Sequence, residues 1–299
     1  MQILVTGATG FIGAHLAVSL DEAGHQVRAM TRRPDDYNGR GTAVLGDVSD
    51  RASLSAALSG IDVAYYLVHS LEHDDFEERD ARAASSFGEA AAAAGVGRII
   101  YLGGLGGDAD LSPHLRSRRD VERLLGVAGV PVTVLRAAVV IGHGSISWEI
   151  TRQLVDHLPA MVAPRWVRTR TQPIALPDVI RYLIGVVEDP AAEGAVFEIG
   201  GPEVLRYVDM MKRAAAIQNR RFLPVLTVPL LTPRLSSRWL QFVTDVDVQT
   251  ARNLVDSMST EVIVTDRSIE HLIPGATLGY DDAVRLALAA RSGSAGPAA

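Results

Sequence analysis

Gly7, Gly10 and Gly13 follow the apolar run Ile3–Val5 at three-residue spacing and precede an Ala- and Leu-rich amphipathic stretch over 14–23. A strand that breaks into a glycine turn and re-enters as a helix brings backbone N–H groups at a helix N-terminus against a pyrophosphate. Gly7 permits the tight turn, Gly10 removes a Cβ that would block the phosphates, and Gly13 lets the helix press on the strand. A glycine turn of this kind can exist without a ligand, but the flanking strand and helix are the context that phosphate binding requires. Arg32 and Arg33 lie at the end of a second apolar segment. There, folds that read an unphosphorylated ribose carry an acid about twenty residues past the glycines. No acid stands at this tip, and a guanidinium grips a 2′-phosphate bidentately. The expected cofactor is therefore NADP(H), with NAD(H) second. The competing reading makes both arginines solvated loop residues, with Asp35 or Asp36 swinging in. Asp47 and Val48, after a third strand, are placed to meet the adenine edge. His69, at the end of a fourth, would touch the nicotinamide half or the substrate, or simply cap the strand.

Positioning these groups takes alternating strands and helices. The apolar patterns predict strands at Gln2–Thr6, Gln26–Thr31, Ala43–Gly46, Val63–Leu67, Arg98–Leu102 and Val132–Arg136. Helices are predicted at Phe11–Ala23, Ala52–Ser59, Phe76–Ala94 and Leu115–Ala128, then at Trp148–Leu158 and Leu176–Val187, with a further strand at Val196–Ile199. Strands apolar on both faces belong in a sheet covered on both sides. The expected fold class is α/β, a doubly wound parallel sheet (Rossmann) with a small C-terminal substrate lobe. The dinucleotide domain would span 1–141, its sheet completed by 171–200. The lobe would take 142–170 and 201–290, and 291–299 would be a disordered tail.

Composition narrows the function. The 299 residues carry a formal charge of −6, and 47% are hydrophobic. No basic stripe interleaved with aromatics is present, which argues against nucleic acid. With no cysteine, disulfides, thiol catalysis and cysteine-ligated metal are excluded. The N-terminus enters a strand without a signal-peptide pattern, and the longest apolar runs, such as Val225–Leu231, are too short to span a bilayer. The expectation is a cytoplasmic protein without a membrane span, acting on a small molecule.

With the opening Thr6-Gly7-Ala8-Thr9-Gly10-Phe11-Ile12-Gly13, the Gly46-Asp47 turn and Gly200-Gly201-Pro202-Glu203, the chain resembles a short-chain dehydrogenase/reductase of the extended and atypical branches. Segments Tyr65–Ser70, Ile100–Gly106, Gln172–Ala175 and Phe197–Glu203 are similar to the NmrA-like group and to the short-chain-dehydrogenase-like subunit of respiratory complex I. The resemblance implies a cofactor-binding set of Gly7, Thr9, Gly10, Phe11, Ile12 and Gly13 in the turn, with Arg32, Arg33, Asp47, Val48, Leu67, Val68 and His69. Leu102, Gly103 and Arg118 complete it. The family's usual chemistry needs a Ser or Thr ending the fifth strand and a Tyr-x-x-x-Lys on the next helix. Here the strand ends Leu102-Gly103-Gly104, and the helix carries His114 and Arg118 at those two positions.

Two functions follow. In an oxidoreductase acting on a carbonyl- or quinone-like molecule, His114 replaces Tyr as proton donor. Arg118, on the same helical face, would hold the nicotinamide ribose, and Ser70 or Ser117 would supply the missing hydroxyl. Hydride transfer to a quinone, flavin or activated alkene needs little proton assistance. Alternatively, loss of all three groups marks a non-catalytic NADP(H) sensor or scaffold. A sugar-nucleotide epimerase or dehydratase is a weaker third reading, since it depends on the missing Tyr. A homodimer through the helices at 76–94 and 115–128, or a protein partner, is left open.

Other constellations are bland. His69 and His73 with Asp74 and Asp75 read as a loop, and no metal is expected. Ser145 and Ser147, between His143 and Glu149, lack the elbow of a serine hydrolase, and Gly142-His143-Gly144 would shape the pocket mouth. Trp148, Trp166 and Trp239 line that pocket or fill the lobe's core. The clusters Arg116/Arg118/Arg119 and Arg165/Arg168/Arg170 suit an anion or solvent.

Overall fold

The computed structural model describes residues 1–107, 111–157, 161–163, 165–220, 225–227 and 248–294. Seven strands form the central sheet: β1 (Gln2–Val5), β2 (Gln26–Thr31), β3 (Thr42–Leu45), β4 (Val63–Tyr66), β5 (Arg98–Gly104), β6 (Val132–Ala137) and β7 (Val196–Ile199). Their order is β7-β6-β5-β4-β1-β2-β3, every neighbouring pair parallel. The chain reverses direction across the sheet between β1 and β4, and in such sheets ligands bind at the carboxyl ends beside that point.

Burial on both faces explains the unbroken apolar strands. Ile3 and Val5 face α1 (Phe11–Glu22) and α6 (Leu176–Glu188), in one core with Leu16, Leu20, Val179 and Leu183. Leu4 points the other way, into a core with Leu54, Phe87 and Val121 from α2 (Arg51–Leu58), α3 (Phe76–Ala94) and α4 (Pro113–Leu125). Tyr65 and Tyr66 divide between the two cores in the same alternation.

A third core lies beyond the carboxyl edge. It is built by α5 (Ile146–His157), α7 (Tyr207–Ile217), α8 (Val248–Ser257) and α10 (Tyr280–Ser294), and includes Trp148, Trp166, Met211, Val255 and Val284. The five-residue α9 (Ser268–Leu272) instead docks on the sheet through Ile269. Short strand pairs stitch the lobe to the sheet, Val140–Ile141 with Ile174–Ala175 and Arg170–Thr171 with Leu205–Arg206.

Most predicted boundaries shift by one or two residues, and three of the differences have consequences. Helix α4 begins two residues before the predicted Leu115, because Pro113 takes its first turn and the Ser112 hydroxyl accepts the Leu115 N–H at 3.3 Å. It ends at Leu125, before Gly126, rather than at Ala128. The last helix runs through Ser294, so 291–294 are helical where a disordered tail was expected. Residues 295–299 and Trp239 lie outside the described residues.

Candidate cofactor and substrate site

The phosphate turn is built around one carbonyl. Gly7 takes φ +62°, a left-handed conformation that favours glycine, and a Cβ there would stand 2.9 Å from the Leu67 carbonyl oxygen. Its own carbonyl accepts the Gly10 N–H at 2.8 Å. A Cβ on Gly13 would collide with that same oxygen, so only glycine lets α1 rest on the turn. At Gly10 a Cβ would meet nothing but the Gly7 oxygen, at 3.1 Å, and its far side is open. The first bond of α1 runs from Ala14 N–H to Gly10 O, leaving the amides of Phe11, Ile12 and Gly13 without a helical acceptor. No acidic side chain occupies the first turn to neutralise its positive end. An anion fits this place.

A cleft of about 830 Å³ opens beside the turn. Its walls include Gly7, Thr9, Arg32, Arg33, Asp47, Val48, Val68, His69 and Ser70 from the sequence-expected set. Gly10, Phe11, Ile12, Gly13, Leu67, Leu102, Gly103, His114 and Arg118 do not line it. Gly13 is buried under the turn, and the Leu67 amide is held by the Thr6 hydroxyl at 2.9 Å. Phe11 packs under the 142–144 loop, where a Cβ on Gly142 would stand 2.9 Å from its ring. Arg32 and Arg33 are exposed, and neither guanidinium forms an ion pair among the described residues. Asp36 reaches the same rim. The Asp47 carboxylate takes both the amide (2.8 Å) and the hydroxyl (2.6 Å) of Ser49. Those bonds, then the Arg32 charge, hold it below the usual carboxylate range. Asp47 therefore shapes its turn first. Arg79, Arg82 and Ser86, missed by sequence reasoning, line the opposite wall from one face of α3. Their near-helical spacing was the available signal.

Behind the cleft lies a buried polar knot. Asp80 is 5% exposed and accepts bonds from both the hydroxyl and the amide of Ser70, with the Ser117 hydroxyl at 3.4 Å. Burial raises its pKa, and the Arg118 charge and these bonds oppose the rise. Ser70 thus anchors its loop to α3. Arg118 donates from Nε to His114 Nε2 at 3.3 Å, while His114 Nδ1 lies 3.0 Å from the Ser257 hydroxyl. Desolvation, then the Arg118 charge, then His69, push the His114 pKa well below its ordinary value. That direction runs away from the near-neutral titration expected of a proton donor at this position. His69 opens on the cleft, and its pKa is also lowered, by desolvation and then by the Arg118 charge. At the end of β5, a Cβ on Gly104 would stand 2.8 Å from Leu115 Cδ2, so α4 lies tight against a strand end that carries no hydroxyl.

His114 and Ser257 instead face a second cavity of about 100 Å³. Its walls are mostly apolar, among them Leu105, Leu115, Val139, Leu254, Met258 and Val262, with Ser147 and Tyr207 adding hydroxyls. Arg118 lines neither cavity, but it contacts His114 in the wall of the second, and its charge acts on Asp80 in the wall of the first.

The remaining candidates resolve simply. Among the described residues no group of three or more His, Cys, Asp or Glu could hold a metal. The Ser145 hydroxyl donates to the Val140 carbonyl at 2.8 Å, and His143 lies 3.4 Å from Glu149. Trp148 and Trp166 are buried in the lobe's core. Arg170 pairs with Glu261 through two bonds, Arg119 with Glu122, and Arg116 faces Glu77 at 3.9 Å. Among the described residues no helix is long and apolar enough to cross a membrane.

A family model described as NAD(P)H-binding matches residues 7–165. The chain is 32% identical over 232 residues to (4-alkanoyl-5-oxo-2,5-dihydrofuran-3-yl)methyl phosphate reductase of Streptomyces griseus, covering 73% of this chain and 74% of that one. It is 24% identical over 234 residues to the mitochondrial NADH dehydrogenase [ubiquinone] 1 alpha subcomplex subunit 9 of Mus musculus, covering 74% of this chain and 62% of that one. In fold it is similar to the NADPH-dependent quinone oxidoreductase of Escherichia coli complexed with NADPH. That likeness has a TM-score of 0.77 and 20% identity, over 95% of this chain and 98% of that one.

Proposed function

Since the chain belongs to the NAD(P)H-binding family, in the atypical branch of the short-chain dehydrogenases/reductases, we propose that it is an NADP(H)-dependent reductase of a carbonyl- or quinone-like small molecule. The observation that carries this reading is the pair of cavities, one of dinucleotide size and one small and apolar, whose wall residues Asp80 and His114 are linked by Arg118. The relative named as a reductase and the neighbour named as a quinone oxidoreductase support the reaction class and the reduced, phosphorylated cofactor.

The residues present fit that cofactor. The open side of Gly10 and the free amides of α1 would hold the pyrophosphate, and Arg32 and Arg33 the 2′-phosphate. When bound, the nicotinamide supplies the hydride. The chain's own part is to keep the positive charge of Arg118 close to the second cavity, where a substrate oxygen gains negative charge. In this reading His114 accepts the Arg118 Nε–H and holds Arg118 rather than delivering a proton. A quinone or conjugated carbonyl, whose reduced oxygen is a stable anion, suits such a site better than an isolated ketone, whose alkoxide demands a proton at once.

The experiment is NADPH oxidation against a panel of quinones and conjugated enones, with the reduced product quantified. Turnover matched by product supports the reductase. Intact NADPH binding with no turnover across the panel favours a non-catalytic sensor, for which the glycine-ended β5 and the neutral His114 speak.

A further inference from the structure

A chain of hydrogen bonds runs from Arg118 through His114 to Ser257, and its donors and acceptors admit one assignment. Ser257 has a single proton, and within 3.0 Å lies the Asn253 carbonyl, which can only accept. The Ser257 lone pairs are then left for Ser112, at 2.9 Å, and for His114 Nδ1, at 3.0 Å. Ser112 already accepts the Leu115 N–H, so its own proton is available for Ser257. At the other edge of the ring, Arg118 offers only donors, and its Nε–H at 3.3 Å requires a lone pair on His114 Nε2. Both ends of the imidazole agree. The opposite tautomer would set two N–H groups against each other and take the Ser257 proton from Asn253.

We propose that Ser257, on α8 of the C-terminal lobe, is a positioning residue that fixes His114 as the Nδ1–H tautomer and so holds Arg118 beside the wall of the second cavity. The same helix also reaches the loop that follows β4. Asn253 donates from Nδ2 to the Leu71 carbonyl at 3.1 Å. Leu71 adjoins Ser70, whose hydroxyl and amide bind Asp80, and Asp80 faces Arg118 from α3. One turn of α8 therefore sets both the loop that follows β4 and the imidazole on α4. The charged and titratable groups facing His114 are Arg118 on its own helix and His69 from the β4 loop. Neither stabilises an imidazolium.

The test uses the full chain with ¹⁵N-labelled histidine, reading His114 by long-range ¹H–¹⁵N correlation without substrate. The expected wild-type spectrum is the neutral Nδ1–H form throughout about pH 6 to 8. Ser257→Ala should move His114 toward the Nε2–H form, and Ser257→Thr, which keeps the hydroxyl, should restore Nδ1–H. The kinetic arm rests on the reductase reading. There Ser257→Ala should lower kcat about tenfold, with KM for NADPH within about twofold, because the loss falls on charge placement rather than cofactor binding. A wild-type His114 found as Nε2–H or imidazolium overturns the proposal without any variant. So does a Ser257→Ala spectrum identical to wild type. An inactive protein with the Nδ1–H spectrum, shifted by Ser257→Ala, upholds this proposal and counts against the reductase.

Discussion

Replacing Gly10 and Gly13 separately by alanine divides phosphate binding from folding. At Gly10 the backbone is extended, and the added Cβ meets only the Gly7 oxygen, at 3.1 Å. Relief by a few tenths of an ångström should keep the change in stability within ~1 kcal/mol. The same methyl stands on the open side of the turn, in front of the free amides of α1. Denying a pyrophosphate two charge-assisted hydrogen bonds there costs ~3–6 kcal/mol, at least a hundredfold in Kd. At Gly13 the Cβ collides with the Gly7 carbonyl oxygen and stands 2.8 Å from its carbon. Backbone atoms cannot rotate away, so α1 must lift off β1, at ~2–3 kcal/mol or more. That corresponds to a fall in Tm of roughly 3–5 °C for a chain of this size. Calorimetric titration with NADPH and thermal unfolding read the two effects. Gly10→Ala should fold as the wild type does and bind poorly, while Gly13→Ala should lose both. A folded Gly10→Ala variant that binds NADPH within about threefold of wild type would refute the reasoning.

Arg32→Ala with Arg33→Ala should weaken NADPH about ten- to a hundredfold, at ~0.7–1.4 kcal/mol for each exposed guanidinium, and leave NADH unchanged. Equal losses for both cofactors, read by titration, would remove the arginines from the 2′-phosphate. For His114 the folded pKa lies below the unfolded one, so its contribution to stability is complete above about pH 6.5 and is lost as pH falls. His114→Gln should therefore flatten the acid limb of a stability–pH curve measured by denaturant unfolding. The kcat–pH profile should likewise show no step near pH 6.5 that vanishes in His114→Gln. Such a step would restore the imidazole as proton donor.

What the sequence disclosed was local. The β1–glycine–α1 unit is legible because each glycine answers a constraint within a few residues, and the two-sided apolar strands announce a covered sheet. The Ser112-Pro113 pair is a cap signal that places the start of α4, though the hydrophobic pattern alone put it at Leu115. The polar knot was not legible. Asp80 sits in a helix among other acids, and nothing in the order of residues tells a buried carboxylate from its solvated neighbours Glu77 and Glu78. Ser257 reaches His114 across 143 positions of chain. Reading His114 as a proton donor followed from the ordinary pKa of imidazole, and the burial that lowers it, ahead of the Arg118 charge, comes from residues far along the chain.

The central claim is that the cleft beside the glycine turn takes NADP(H). Its most direct test is a calorimetric titration of the wild-type chain with NADPH, NADP⁺, NADH and NAD⁺ in parallel. The structure predicts one site per chain, with the phosphorylated cofactors bound at least about tenfold more tightly than their counterparts. Preference for NADH and NAD⁺, or no binding of any of the four, would contradict it.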